Sequence, residues 1–322
     1  MIRFRSFRNG DPPALADLWN RGLPERGVVR PLGPHEFDAM VIGRLEFDRE
    51  GLILAEDDGR AVGFAHAGFG PDLSNPRHRP DHDLGTVAML VLDPDRDDPA
   101  LGRDLFAAAE SYLVGRGAKV LYAGMQYPLN PFYWGIYGGS ESGGILGDHE
   151  SMRRAATDSG YEEVSTMVLL DVDLTVAEAR DPKAAILRRQ ARVEIEEEAM
   201  PADWWEASSI GHSQITHYRL VSKADEVELA RASAWDMAAF GRLDGRARTG
   251  LTAIRVEPEH RRKGYARHLI AEILRHVKGQ WGEVVSVQTG ATNRPALALY
   301  FSLGFEPVES AILFRKPGGR GG

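Results

Sequence analysis

Residues 251–305 constrain the fold of this chain more tightly than any other stretch. Leu251-Thr252-Ala253-Ile254-Arg255-Val256 alternates as a strand does, and Pro258, which cannot donate to a ladder, ends it. The basic run Arg261-Arg262-Lys263-Gly264-Tyr265-Ala266 follows, and then a helix with Leu269, Ile270, Ile273, Leu274 and Val277 on one face. A strand that passes through a glycine-bearing basic turn into a helix start makes an anion cradle. The first N–H groups of the helix have no partner within it, and its dipole adds partial positive charge. Gly264 lets the backbone turn and come close to the anion, and Ala266 keeps the second contact point small.

A second strand, Val284–Thr289, and a second helix complete the unit. Asn293 suits the N-cap of that helix, Pro295 its first turn, and Gly304 its end. Arg-x-x-Gly-x-Ala, then Asn-x-x-Ala-x-x-Leu-Tyr-x-x-Leu-Gly-Phe, with one strand between them, resembles the GNAT superfamily of acetyl-CoA-dependent N-acetyltransferases. The resemblance implies a mixed α/β fold, a central sheet flanked by helices, with the cofactor wedged where two strands splay.

The N-terminal half repeats the order of elements. Strand-like Ile2–Phe7 leads to a helix from Asp11-Pro12, with Leu15, Leu18 and Trp19 as its apolar face. A helix over His35–Phe47 is expected next, then two strands, Leu52–Glu56 and Ala61–Ala67. Gly70–Asp83 reads as a polar loop. Strand Thr86–Val91, a helix carrying Leu101, Leu105, Phe106, Ala109 and Leu113, and strand Lys119–Ala123 follow. Aligning Pro94 with Pro258 sets Ala100 on Gly264 and Gly102 on Ala266, but Asp97 and Asp98-Pro99 replace Arg261 and Arg262-Lys263. Acidic residues at a phosphate site repel the ligand. The expected organisation is therefore tandem, similar in architecture to the mycothiol synthases. Residues 1–175 would be a GNAT-like domain with a degenerate cofactor motif, 176–317 one with an intact acetyl-CoA motif, and 318–322 a disordered tail. Asp181–Arg192 reads as a linking helix, Val193–Glu196 as a strand, and Ile215–Val221 with Glu228–Met237 as a hairpin.

After strand Lys119–Ala123 the N-terminal half departs from the pattern, with Tyr127–Tyr137 and then Gly138-Gly139-Ser140-Glu141-Ser142-Gly143-Gly144. It is no Walker loop, since no Gly-Lys-Ser/Thr ends it. It reads either as a mobile surface loop or as a pocket wall, with Tyr133, Trp134 and Tyr137 giving flat apolar contact.

The resemblance implies direct transfer of an acetyl group from acetyl-CoA to a primary amine of a small-molecule acceptor, an acyltransferase reaction. Ile254 and Val256 would offer backbone contacts to the cofactor on the strand, with an N–H there for the oxyanion. Arg261, Arg262, Lys263, Gly264, Tyr265, Ala266 and Arg267 would hold the diphosphate, and Asn293 the pantetheine arm. Tyr300 matches the family's general-acid tyrosine. For the base, Glu257 at the strand end stands first, with Asp236 and His217 on neighbouring strands open. Each has a plainer reading: Tyr300 as packing, Asn293 as a cap, the basic side chains as solvated charge. A non-catalytic acyl-CoA-binding sensor is the alternative function, and a vestigial structural protein a further one.

Composition narrows the rest. No cysteine is present, which excludes a thiol nucleophile and disulfides and suits a cytoplasmic protein. A formal net charge of −8 argues against nucleic acid as partner and is compatible with cationic substrates. No stretch approaches a membrane span, and Met1–Arg5 lacks a signal peptide's apolar core. His78 and His82 are the closest to a paired metal spacing but lack a third ligand, so no metal is expected.

Overall fold

The computed structural model describes residues 2–75, 79–96, 98–177, 181–201 and 203–318. In chain order its first elements are β1 (Ile2–Ser6), α1 (Pro12–Gly22), α2 (Pro34–Phe37), β2 (Leu52–Asp57), β3 (Arg60–Pro71), β4 (Pro80–Leu92), α3 (Pro99–Gly115) and β5 (Val120–Ala123). Then come β6 (Ile145–Leu146), α4 (Glu150–Asp158), β7 (Glu162–Asp173), α5 (Ala184–Gln190), β8 (Ala191–Glu196) and α6 (Trp204–Ile210). The last are β9 (Ile215–Ser222), β10 (Glu228–Asp236), β11 (Arg248–Val256), α7 (Tyr265–Gly279), β12 (Val284–Gly290), α8 (Arg294–Phe301) and β13 (Glu306–Arg315). The fold is mixed α/β, as expected.

The chain divides into two compact units that do not follow the expected cut at 175/176. One comprises Met1–Gly138, Ser142–Met167 and Glu309–Gly322, and the other Gly139–Glu141 and Val168–Val308. The reason is strand pairing. The C-terminal strand β13, which no sequence signal set apart, pairs in the first unit with β5 (Phe314↔Ala123) and with β6 (Ile312↔Ile145). The second half of β7 belongs to the other unit, so the first unit takes a strand from the C-terminal end of the chain and the second begins its main run within β7. The expected tail, 318–322, lies outside the described residues except for Gly318.

In the first unit the sheet runs β1-β2-β3-β4-β5-β13, antiparallel except for the parallel pair β4–β5, in register from Leu84↔Val120 to Val87↔Ala123. The central runs Val62–Phe69 and Val87–Leu92 are buried residue after residue, the pattern of strands covered on both faces. Leu15, Leu18 and Trp19 of α1 and Leu101, Leu105, Phe106, Ala109 and Leu113 of α3 supply the cover. The expected loop over Gly70–Asp83 is shorter, because β3 and β4 extend their pairing to Pro71↔Pro80. The helix expected over His35–Phe47 ends early: α2 is followed by a π turn over Asp38–Ile42. Tyr133, Trp134 and Tyr137 are core residues of this unit, not a pocket wall. Tyr133 stacks on Trp19 at 5.5 Å and meets His66 Nδ1 at 2.8 Å, and Tyr137 meets His149 Nδ1 at 2.8 Å.

The second unit has the order β8-β9-β10-β11-β12-β7. Leu269, Ile270, Ile273, Leu274 and Val277, the predicted face of α7, are all buried against β9, β10 and β11. Each such side chain contributes roughly 1.5–3 kcal/mol by leaving water. The linking segment is helical only over α5, and β8 begins at Ala191, earlier than Val193.

Candidate active site

Strands β11 and β12 pair in parallel from Arg248↔Val284 to Gly250↔Ser286. Past that point Leu251–Val256 of β11 and Val287–Thr289 of β12 line one cavity of 1340 Å³ together with the start of α7 and with α8. All of its lining belongs to the second unit.

At one end lies the predicted turn. Gly264 sits at φ +98° as the N-cap of α7, a conformation glycine adopts without strain, and Arg262 precedes it at φ +61°. The first rung of α7 is His268 N–H donating to the Gly264 carbonyl at 3.0 Å. The N–H groups of Gly264, Tyr265 and Ala266 come before that rung, and glycine at the N-cap offers them no side-chain acceptor. Arg261, Arg262, Tyr265, Ala266 and Arg267 line the cavity beside Gly264, whereas Lys263 is exposed and does not. Arg261 Nε donates to the Val256 carbonyl at 3.2 Å, and Arg267 is tied to Ser302. These two guanidinium groups brace the turn as much as they charge it.

The matching turn in the first unit is built differently. Asp98 caps α3 with its own carboxylate, accepting from Ala100 N–H at 2.8 Å where Gly264 leaves its helix end uncapped. Beyond it, Met152, Ala155 and Ala156 of α4 pack with Leu92, Leu101 and Leu105 in one buried cluster. Asp97 lies outside the described residues.

At the other end of the cavity β11 is bulged. Its register to β10 slips between Arg231 and Ser233, and Ala253 has φ +50°, uncommon for a residue with a Cβ. The bulge turns the Ala253 N–H toward a partner outside the ladder, the Oε1 of Glu141 at 3.4 Å. Glu141 arrives on the short segment Gly139–Glu141, which is fastened by Trp235 Nε1 donating to the Ser140 carbonyl at 2.8 Å. Burial pushes the Glu141 carboxyl above its usual range, and the Ala253 N–H offsets part of the rise. Tyr300, 5 % exposed, lines the same cavity with its ring against Phe305. Burial, and then the Glu141 charge, push its phenol up to about 12, so it stays protonated and able to donate.

The structure thus brings Tyr300, Ile254, Val256, Asn293 and most of the 261–267 turn to one cavity. Asn293 also caps α8, accepting from Ala296 N–H at 3.3 Å, and donates to Thr289 Oγ1 at 3.1 Å. Glu257 is not among the lining residues: Arg255 holds its carboxylate at 3.2 Å. Asp236 accepts from Ala238 N–H, and His217 faces Ser233 Oγ at 3.0 Å; neither lines this cavity. Glu141 is the residue that sequence reasoning missed. Its signal was a lone ionisable side chain within ten residues rich in glycine, 138–147. Among the described residues no group of His, Cys, Asp and Glu could hold a metal; His78 lies outside them, and His82 rests against Phe69.

Residues 14–137 match the Acetyltransferase (GNAT) family, and residues 232–312 match the FR47-like protein family. The chain carries a GNAT acetyltransferase domain and an FR47-like domain. It is 32 % identical over 82 residues to a mycothiol acetyltransferase of Cellulomonas flavigena, and 31 % over 117 residues to one of Acidimicrobium ferrooxidans. Those alignments cover 25 % and 34 % of this chain, and only 24 % and 34 % of the two relatives. Among solved structures, a tandem GNAT protein from the clavulanic acid biosynthesis pathway matches with TM-score 0.65 at 16 % identity, covering 98 % of both chains. A GCN5-related N-acetyltransferase from Sphaerobacter thermophilus matches with TM-score 0.62 at 15 % identity, covering 100 % of this chain and 96 % of that one. A GCN5-related glucosamine N-acetyltransferase region of a fungal multi-domain β-N-acetylglucosaminidase reaches TM-score 0.71 at 16 % identity, over 98 % of this chain and 38 % of that one. These likenesses are of fold. Among the described residues, no helix is long and apolar enough to cross a membrane.

Proposed function

We propose that this chain is an N-acetyltransferase that moves an acetyl group from acetyl-CoA to a primary amine of a small molecule, with the reaction confined to the cavity of the second unit. The observation that carries the reading is the joining of an uncapped, glycine-started helix N-terminus and a buried tyrosine in one cavity between splayed strands. The N–H groups of Gly264, Tyr265 and Ala266, with Arg262 beside them, suit a diphosphate. Asn293 at the head of α8 suits an amide-bearing arm.

Acetyl-CoA would supply the activated thioester. Glu141 accepts a proton from the attacking amine as the N–C bond forms, a role that favours a carboxylate whose basicity is raised by burial. The bulged strand offers a backbone N–H from the Ile254–Val256 stretch to the charge that develops on the carbonyl oxygen. Tyr300 gives its proton to the sulfur as the C–S bond breaks, and solvent exchange restores both groups. The first unit takes no cofactor in this reading, since Asp98 and the packing of α4 occupy the corresponding positions.

Calorimetric titration with acetyl-CoA, followed by turnover against a panel of amines, tests the reading. One site and thiol release that depends on added amine are expected. Binding without turnover on any amine would leave a sensor, and no binding would discard the assignment.

A further inference from the structure

Gln288, on β12, is 7 % exposed and lines the cavity, yet neither its Nε2 nor its Oε1 has a hydrogen-bond partner among the described residues. A buried amide left with both ends unmade is costly to the fold, and such groups are rare in native proteins unless something else pairs with them. The side chain lies against the segment that carries Glu141. A Cβ placed on Gly139 would come within 2.9 Å of Gln288 Oε1 and 3.0 Å of Leu169 Cδ2, so glycine is what allows the two to approach. The Trp235–Ser140 bond then holds that segment in place.

We propose that Gln288 and Glu141 form an acceptor-recognition subsite for a primary amine that bears a neutral hydroxyl or amide a few bonds from its nitrogen and no carboxylate. The proposal rests on the acetyltransferase reading and adds a substrate class to it. An amide side chain presents a donor and an acceptor together, and hydroxyl and amide groups answer both. A carboxylate on the acceptor would meet the Glu141 charge. The cavity's positive side chains, Arg255, Arg261, Arg262 and Arg267, all come from the stretch that runs to and through the diphosphate turn. Glu141 takes the amine, and Gln288 selects its neighbour.

The test uses the full chain and two matched pairs of amines, 3-amino-1-propanol with n-butylamine, and glycinamide with glycine. The parent enzyme is expected to favour the first of each pair in kcat/KM by about tenfold or more, since a site built to bond a hydroxyl rejects the analogue that lacks one. Gln288→Met should abolish the first preference through KM. Acetyl-CoA affinity should be unchanged, and the Tm equal or higher, because an unpartnered buried amide has been replaced by a side chain of similar shape. A parent without either preference, a variant that slows all four amines alike, or a variant with a lower Tm would each overturn the proposal. One acetyl-CoA bound per chain with none of the four amines acetylated also ends it, while sparing the cofactor reading. Failure to bind acetyl-CoA ends both.

Discussion

Replacing Gly264 by glutamate should weaken acetyl-CoA capture far more than it disturbs the fold. Two costs arise and can be separated. The first is conformational: at φ +98° any side chain is strained, by about 1–2 kcal/mol. Space is not limiting, since among the described residues a Cβ there would meet only Lys183 Cδ at 3.4 Å and Leu187 Cδ1 at 3.9 Å. The second is electrostatic. A carboxylate about 5 Å from one phosphate charge costs roughly 3 kcal/mol at an effective dielectric near 20. The turn is open to solvent and Lys183 is close, so about 1–2 kcal/mol per charge is the better figure. A diphosphate doubles it. Gly264→Ala carries the strain without the charge and serves as control. Calorimetry should therefore find the Gly264→Glu variant binding acetyl-CoA about thirtyfold to nearly a thousandfold more weakly than Gly264→Ala. Circular dichroism and melting should find both folded. Equal affinity in parent, alanine and glutamate variants would refute the reasoning, because the amides of this turn would then not face the ligand.

Three more expectations follow from the same geometry. Tyr300→Phe removes the only hydroxyl of that ring and should lower kcat about 10²- to 10⁴-fold with acetyl-CoA affinity unchanged; undiminished kcat in steady-state assays would remove Tyr300 from proton transfer. Glu141→Gln should cost a comparable factor and erase the acidic limb of the pH–rate profile, which in the parent rises as pH climbs through the raised Glu141 pKa. The same variant takes away the charge that helps hold Tyr300 up, so any alkaline limb should move to lower pH; limbs that stay put would contradict both assignments. In the first unit, burial holds His66 down to about 3 and His149 to about 4. The unfolded chain binds protons below pH 6.5 where the folded one does not, so stability should fall as pH drops from 6.5 toward 4. Urea melts across that range should show the decline, and His66→Gln should flatten it; a parental stability constant with pH would be inconsistent with neutral buried imidazoles.

Local signals carried much of this architecture. The apolar face of α7, the Asn293 cap, the hairpin β9–β10 and the glycine turn all depend on neighbours in sequence, and periodicity and capping chemistry reveal such features. What stayed hidden depends on partners far along the chain. Nothing in Glu306–Arg315 announces that its residues from Glu309 onward join the first unit and pair there with β5, and nothing in β3 or β4 tells that their ladder reaches Pro71 and Pro80. Glu141 was concealed for the same reason. Its carboxylate meets β11 only because the ladder slips at Ala253, and because Gly139 allows a close approach 149 positions before Gln288. Glu257 stood at a strand end as a base should, but an arginine two residues earlier on the same strand takes its charge. The glycine-rich run read as a loop because glycine marks both mobile segments and tight packing, and sequence alone does not separate the two.

Native mass spectrometry of the full chain with increasing acetyl-CoA tests the central claim most directly, that a single cavity between β11 and β12 holds the acyl donor. Saturation at one molecule per chain, abolished by Gly264→Glu, is the predicted result. Saturation at two, or one that survives the substitution undiminished, would contradict it.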